Sequence, residues 1–196
     1  HGKSIINIKD FKLQVDGFHI AGNATIDPII NSIDELSLSK AKFANNDFNA
    51  VYKSTSGGDN IEISGKNLDL SNAKLTEWFK HDTGKIKKTL AFSATLENLY
   101  MKNGEVLKEF KSNLDCSVER CATGNLYGKL RDGNFVVISL KNIGDRSALL
   151  VESDNAGAII NALNISKNIT GGHINIDSTL GVSNKTTVAQ GVLRIA

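Results

Sequence analysis

The sequence predicts a mainly β protein: a curled antiparallel sheet, a groove or half-open barrel of meandering hairpins, carrying two short α-helices. Three observations lead there. Apolar and polar residues alternate with period two along most of the chain, as strands with one buried face require. Asp-Gly and Asn-Gly pairs fall between alternating runs, the strongest short-range hairpin signal. There are 17 Gly against a single Pro, so the chain is punctuated by residues that open tight turns without breaking sheet hydrogen bonding.

The strands read in order. Ile6 and Ile8 alternate with polar neighbours, as do Phe11, Leu13 and Val15. Asp16-Gly17 follows, then Phe18 and Ile20, with Ala24 and Ile26 in the same phase. This spacing predicts a hairpin whose type I′ turn has positive φ at both central residues. Asn103-Gly104 turns the chain between Leu99/Met101 and Val106, and Asp132-Gly133 turns it before Phe135 and Val137. A looser Gly57-Gly58 loop separates Phe48, Ala50 and Tyr52 from Ile61 and Ile63. Antiparallel meanders are the expected topology throughout.

Helical spacing enters twice. In residues 71–81, Leu75, Trp78 and Phe79 form one apolar stripe. In residues 154–163, Asp154 is placed to cap the start and Ile159, Ala162 and Leu163 form the stripe. Each helix is expected to plug an end or open side of the sheet.

A chain of 196 residues can bury one sizeable core, and residues 1–196 read as a single β-rich domain, with a sub-boundary near 82–88. The formal charge of +2 is spread along the chain without a basic stripe, which gives a nucleic-acid partner no footing. No apolar run approaches the roughly 20 residues that span a bilayer as a helix. The start lacks a signal-peptide pattern, so the sequence is expected to be a fragment of a longer chain. Cys116 and Cys121 are too far apart for a redox C-x-x-C and lack the second pair of a four-ligand zinc site. A disulfide across a turn and two reduced, half-buried cysteines both fit that spacing.

Catalytic signatures are lacking. His1, His19, His81 and His173 are scattered without ligand spacing, and no zinc-protease, nucleophile-elbow or phosphate-loop motif occurs. Asp115, Glu119, Asp132 and Asp145 lie near turns, where solvation accounts for them. Four Asn-x-Ser/Thr sequons, at Asn23, Asn164, Asn168 and Asn184, are chance products of an Asn-rich chain. No metal, no cofactor and no enzymatic activity are expected.

The apolar face is expected to carry Phe11, Leu13, Phe18, Ile20, Ile61, Ile63, Phe92, Leu96, Phe135, Val137, Ile174 and Ile176. Aromatics are only 6% of the chain, so aliphatic side chains dominate this face. Such a lining suits acyl chains better than sugars or bases, which favour aromatic stacking. Alternation alone does not separate a lipid-lined groove from a closed core.

The most specific stretch is C-terminal. Ser153-Asp154-Asn155-Ala156-Gly157-Ala158 leads into a short helix, then past Gly171-Gly172 into a strand, and finally into Gly191-Val192-Leu193-Arg194-Ile195. This resembles the C-terminal region of the large AsmA-like proteins. Upstream, Gly65-Lys66-Asn67-Leu68-Asp69-Leu70-Ser71 is similar to that family's Gly-x-x-Leu-Asp-Leu-Ser element. In physical terms Asp69, Asp154, Gly157, Gly171 and Gly172 read as architectural markers: Asp154 a cap, Gly157 a close approach, the glycine pair a chain reversal.

The resemblance implies a periplasmic segment of a protein anchored in the inner membrane of a Gram-negative bacterium. Its curled sheet would shield phospholipid acyl chains between the inner and outer membranes. It also implies partners: phospholipid, neighbouring segments of the parent chain, envelope proteins, and further copies pairing through edge strands. The contrasting expectation is a structural or assembly protein of the cell envelope whose sheet is closed and whose edge strands hold protein partners.

Overall fold

The computed structural model describes residues 5–72, 88–117, 121–162, 166, 168–183 and 186–196. Its strands are β1 (Ile6–Val15), β2 (Phe18–Asp27), β3 (Ser32–Phe43), β4 (Asn46–Ser54), β5 (Gly58–Asp69) and β6 (Thr89–Tyr100), then β7 (Val106–Cys116), β8 (Cys121–Lys129), β9 (Phe135–Ile143), β10 (Arg146–Ser153), β11 (Ile174–Ser183) and β12 (Thr186–Ile195). They form one 12-stranded sheet in sequence order. β1 and β12 do not pair, so the sheet is not closed into a barrel.

One helix, α1 (Ala156–Ala162), is inserted between β10 and β11. The helix expected over residues 71–81 lies largely outside the described residues.

All neighbours are antiparallel except β5 and β6, which run parallel from Gly58↔Thr89 to Asp69↔Tyr100. This corrects the expectation of a meander throughout. A parallel pair needs a crossover rather than a hairpin, and residues 73–87, between β5 and β6 in the sequence, lie outside the described residues. The sheet is therefore two meanders, β1–β5 and β6–β12, joined along one parallel seam.

The turns are simpler than expected. In Asp16-Gly17 only the glycine has positive φ, 73°, and in Asp132-Gly133 only Gly133, at 89°. Neither is a type I′ turn. At Asn103-Gly104 the chain makes a short 3₁₀ turn over Lys102–Gly104.

The two faces are kept apart by β-bulges. In β1, Ile6 and Ile8 are in even phase, whereas Phe11, Leu13 and Val15 are in odd phase. The register against β2 shifts between Ile8 and Phe11, and Asp10 there has φ 52°. The extra residue returns both sets to one face. β3 does the same between Leu38 and Ala41.

A third bulge crosses three strands. Registers shift between β4 and β5 and between β7 and β8, but not between β5 and β6 or β6 and β7. The apolar phase accordingly passes from Ile63 to Leu68, from Leu96 to Leu99 and from Phe110 to Leu107, and all six join one hydrophobic cluster.

That cluster sits against α1. Leu96, Phe110, Leu130, Val136 and Ile174 are buried beside Ala156 and Ile159. α1 is tied down through its first turn, where Ala156 N–H donates to the Gly172 carbonyl at 2.6 Å and Gly157 N–H to Gly171 at 2.9 Å. Gly171 and Gly172 reverse the chain with φ 64° and 80°.

A side chain at Gly157 has no room, because its Cβ would lie 2.5 Å from the Ile169 carbonyl oxygen and 2.7 Å from Thr170 Cα. Gly157→Ala is expected to destabilise the fold by about 1–3 kcal/mol through overpacking, read as a lowered urea midpoint. An unchanged midpoint would show that α1 is not clamped there.

Candidate functional site: the apolar sheet face

Cross-strand register places one row of side chains after another on the same face. Leu13↔Ile20, Ile20↔Ala41 and Ala41↔Phe48 carry it through the first strands. Ala50↔Ile63, Ile63↔Ala94 and Ile61↔Phe92 continue it across the seam. Leu126↔Ile138, Ile138↔Val151, Val151↔Ile176 and Ile176↔Leu193 bring it to the last strand. One apolar face therefore runs unbroken across all twelve strands.

The opposite face is polar and laterally paired. Lys53 lies 3.3 Å from Glu35, Ser139 donates to Asn125 at 3.1 Å, and Asn175 donates to Glu152 at 3.1 Å. Each links neighbouring strands in the manner that stabilises a solvated sheet surface.

No second layer covers the apolar face among the described residues: strands contact their sheet neighbours, β10 also reaches β8 through Ser147 Oγ, which donates to the Cys121 carbonyl at 3.3 Å, and α1 packs against the 3₁₀ turn. The two ends of the face differ. At one end α1 closes the β6–β12 half, while Phe18, Phe43 and Phe48 stack at the other half with centroids 5.8 and 6.3 Å apart. The other end, bounded by the β2–β3 and β4–β5 turns, Lys88 and the β7–β8 hairpin, carries no helix among the described residues. Cys116 and Cys121 are opposite each other there and are joined in a disulfide.

The twelve residues expected on the apolar face divide. Phe11, Phe18, Ile20, Ile61, Ile63, Phe92 and Ile176 are half-buried on it, Leu96 and Ile174 are fully buried, and Leu13 on the edge strand is 56% exposed. Phe135 and Val137 are a correction: they lie on the polar face, 46% and 36% exposed. Val136 and Ile138 face the apolar side, paired with Gly128 and Leu126. Four consecutive apolar residues, Phe135 to Ile138, make both phases look alike, and only the partner strand decides. On the polar face Phe135 packs on Tyr127 at 5.6 Å, with the Lys129 ammonium 5.6 Å from its ring centroid.

The helix cap is a second correction. Asn155, not Asp154, caps α1: its side-chain oxygen accepts from Ala158 N–H at 2.9 Å. Asp154 instead meets His173 Nδ1 at 2.9 Å. Asn155 also donates through its side-chain amide to Asp132 in the β8–β9 turn, fastening the helix start to the sheet.

Asp69 ends β5 in a comparable knot. Its carboxylate accepts from Asn45 Nδ2 at 2.8 Å and from Ser71 N–H at 2.9 Å, while its own N–H donates to Asn46. Both carboxyls are held below the ordinary range. For Asp132 the first cause is the Asn155 side chain, followed by the Asn134 N–H. For Asp69 the first is the Ser71 side chain, followed by that of Asn45. Among the described residues no group of three or more His, Cys, Asp or Glu is gathered to hold a metal ion.

No protein-family model, curated protein or solved structure matches the chain.

Two outcomes are expected. Val136→Asp buries an unpaired charge and should cost about 3 kcal/mol or more, whereas Val137→Asp should stay within about 1 kcal/mol. Equal urea midpoints for the two variants would refute the assigned phase of β9. The second concerns acid. A depressed carboxyl contributes stability that is present above its unfolded pKa and lost as pH falls through the folded value. The thermal midpoint should therefore drop below about pH 4, and Asp132→Asn should make the drop shallower. An identical acid limb in the variant would show that the Asp132–Asn155 bond does not stabilise the fold.

Proposed function

We propose that this chain is a non-catalytic segment of a lipid-transfer protein, shielding phospholipid acyl chains on the apolar face of its sheet. The supporting observation is that face itself, continuous over twelve strands and without a covering layer among the described residues. Sheets with one apolar face bury it against something. In this reading the sheet curls around acyl chains to form a groove. The resemblance to AsmA-like proteins supplies the setting: a periplasmic stretch of an envelope protein passing phospholipid between two membranes.

The physics favours such a surface. Exposing acyl chains to water costs roughly 0.8 kcal/mol per CH₂, so a two-chain lipid faces a barrier on the order of 20 kcal/mol. A continuous apolar surface removes most of it, because the chains stay in contact with apolar side chains along the way. At about 4.8 Å per strand the sheet extends roughly 50 Å, longer than the ~30 Å hydrocarbon core of one bilayer. Head groups remain in water along the open side, so transport needs no catalytic group.

A second reading, a structural or assembly protein of the cell envelope, draws on the edges. Among the described residues β1 and β12 each have one side without a strand partner, and Leu13, Val15, Leu193 and Ile195 on them are exposed. Edges of this kind accept a further strand from a partner, from the parent chain or from another copy.

The test is native mass spectrometry with lipid extraction on the chain purified from a lipid-containing host. Stoichiometric phospholipid is expected for the unaltered chain and for Ser64→Lys on the polar face, with at least a severalfold loss in Ile63→Lys. A folded chain that is lipid-free and takes up no added phospholipid would reject the conduit and favour the edge-binding reading.

A further inference from the structure

The turn between β2 and β3 is Pro28-Ile29-Ile30-Asn31. Turns ordinarily collect Gly, Asn, Asp and Ser, which accept positive φ or bond to the nearby backbone. This chain follows that habit elsewhere: Asp16-Gly17, Thr55-Ser56-Gly57 and Gly144-Asp145 join their strands through small or polar residues. In the β2–β3 turn two large aliphatic side chains stand next to each other instead, Ile29 at 72% and Ile30 at 67% exposure. Neither belongs to a strand, so the alternation that places isoleucines elsewhere in the chain does not account for them.

The tip is fixed in its exposed position. The carboxylate of Asp27, a residue only 4% exposed, accepts from Ile29 N–H at 3.0 Å and from Ile30 N–H at 3.4 Å. Pro28 has its φ set by its ring, and Asn31 completes the reversal at φ 51°, a conformation that Asn tolerates. Little backbone freedom therefore remains to be lost when a partner buries the two side chains.

The tip also continues an apolar corner of the sheet. Ile6↔Ile26 and Ile26↔Ile33 are cross-strand neighbours on the apolar face, and Ile6 and Ile33 are 49% and 43% exposed. Ile30 and Ile33 line one recess at this corner. The cation in that recess, Lys88, already lies 3.9 Å from the Asp59 carboxylate and donates to Ser54 Oγ at 2.9 Å. What the corner offers outward is branched aliphatic surface. Protein interfaces are anchored by Trp, Tyr and Arg seated in pockets, and a projecting pair of isoleucines is neither such an anchor nor a pocket. The hydrocarbon of a bilayer is as apolar as these side chains and demands no complementary shape.

We infer that the Ile29-Ile30 turn is a membrane-insertion tip, whose two side chains enter the hydrocarbon margin of a phospholipid bilayer and hold this corner of the sheet against it. The inference goes beyond the conduit reading and does not need it, because the tip would dock a sheet that carries no lipid equally well.

Flotation of the full chain with vesicles of phosphatidylcholine, and of phosphatidylcholine mixed with phosphatidylglycerol, tests it. Binding to both is expected, changing less than about twofold between low and high salt, since screening acts on charges and not on apolar burial. Ile29→Ser with Ile30→Ser should lower the partition coefficient about tenfold or more, the effect of withdrawing two aliphatic side chains from hydrocarbon. Ile29→Leu with Ile30→Leu should retain binding, and Val192→Ser, at an exposed position on the polar face, should leave it unchanged. Both turn side chains are exposed, so the serine pair should keep the urea midpoint of the unaltered chain, which separates lost docking from lost fold.

Absence of binding to either vesicle, or binding that the serine pair leaves unmoved, would overturn the tip. Binding confined to the anionic vesicles and lost at high salt would overturn it in favour of a contact made by lysines. A dimer in sedimentation velocity that the serine pair dissociates, without vesicle binding, would assign the turn to a second copy of the chain. Copurified phospholipid is a separate readout: the conduit predicts it for the serine pair as for the unaltered chain, so either reading can fail alone.

Discussion

Everything in this molecule depends on keeping one face of a single sheet apolar from the first strand to the last. A sheet has no interior of its own, and a one-residue slip in any strand would turn its apolar set to the other side. Across twelve strands such slips accumulate unless they are compensated. The bulges supply the compensation. Asp10 resets β1, the extra residue between Leu38 and Ala41 resets β3, and a shared step through β5, β6 and β7 resets three strands together. Perfect alternation would have been the simpler sequence, but twisted strands of unequal length bring side chains back to one face only where an inserted residue permits it.

The same constraint orders the two ends. At one end the apolar rows continue under α1, and the first turn of that helix is hydrogen-bonded to the Gly171-Gly172 reversal. Asn155 links the helix to the β8–β9 turn through Asp132, and Asn161 reaches Glu105 beside the 3₁₀ turn at 3.3 Å. Three separate loops are thereby gathered by one seven-residue helix. At the other end the rows stop without such a lid among the described residues.

Much of this was legible in the sequence, and the failures have identifiable causes. Local signals carried the β class, most hairpin positions and the apolar phase wherever a strand had a polar alternate. They failed in β9, where Phe135, Val136, Val137 and Ile138 offer two equivalent phases and Gly128 and Leu126 on the partner strand choose between them. They failed at the helix start, where Asp154 and Asn155 are both good caps and the proximity of His173 draws Asp154 away. The parallel seam was beyond them, since no local turn announces the pairing of β5 with β6.

The parallel seam also bears on how the chain acquires its shape. Within each meander neighbouring strands follow one another through short turns, β10 and β11 excepted, where α1 intervenes, so most of their contacts close short loops and form early. Across the seam every partner is 31 residues away, from Gly58↔Thr89 to Asp69↔Tyr100. Two halves able to zip up from their own turns must then find each other edge to edge. During that interval β5 and β6 are both unpaired edges of growing sheets, bearing Ile61, Ile63, Phe92 and Leu96. The seam is thus the place where synthesis and folding are most in competition with aggregation.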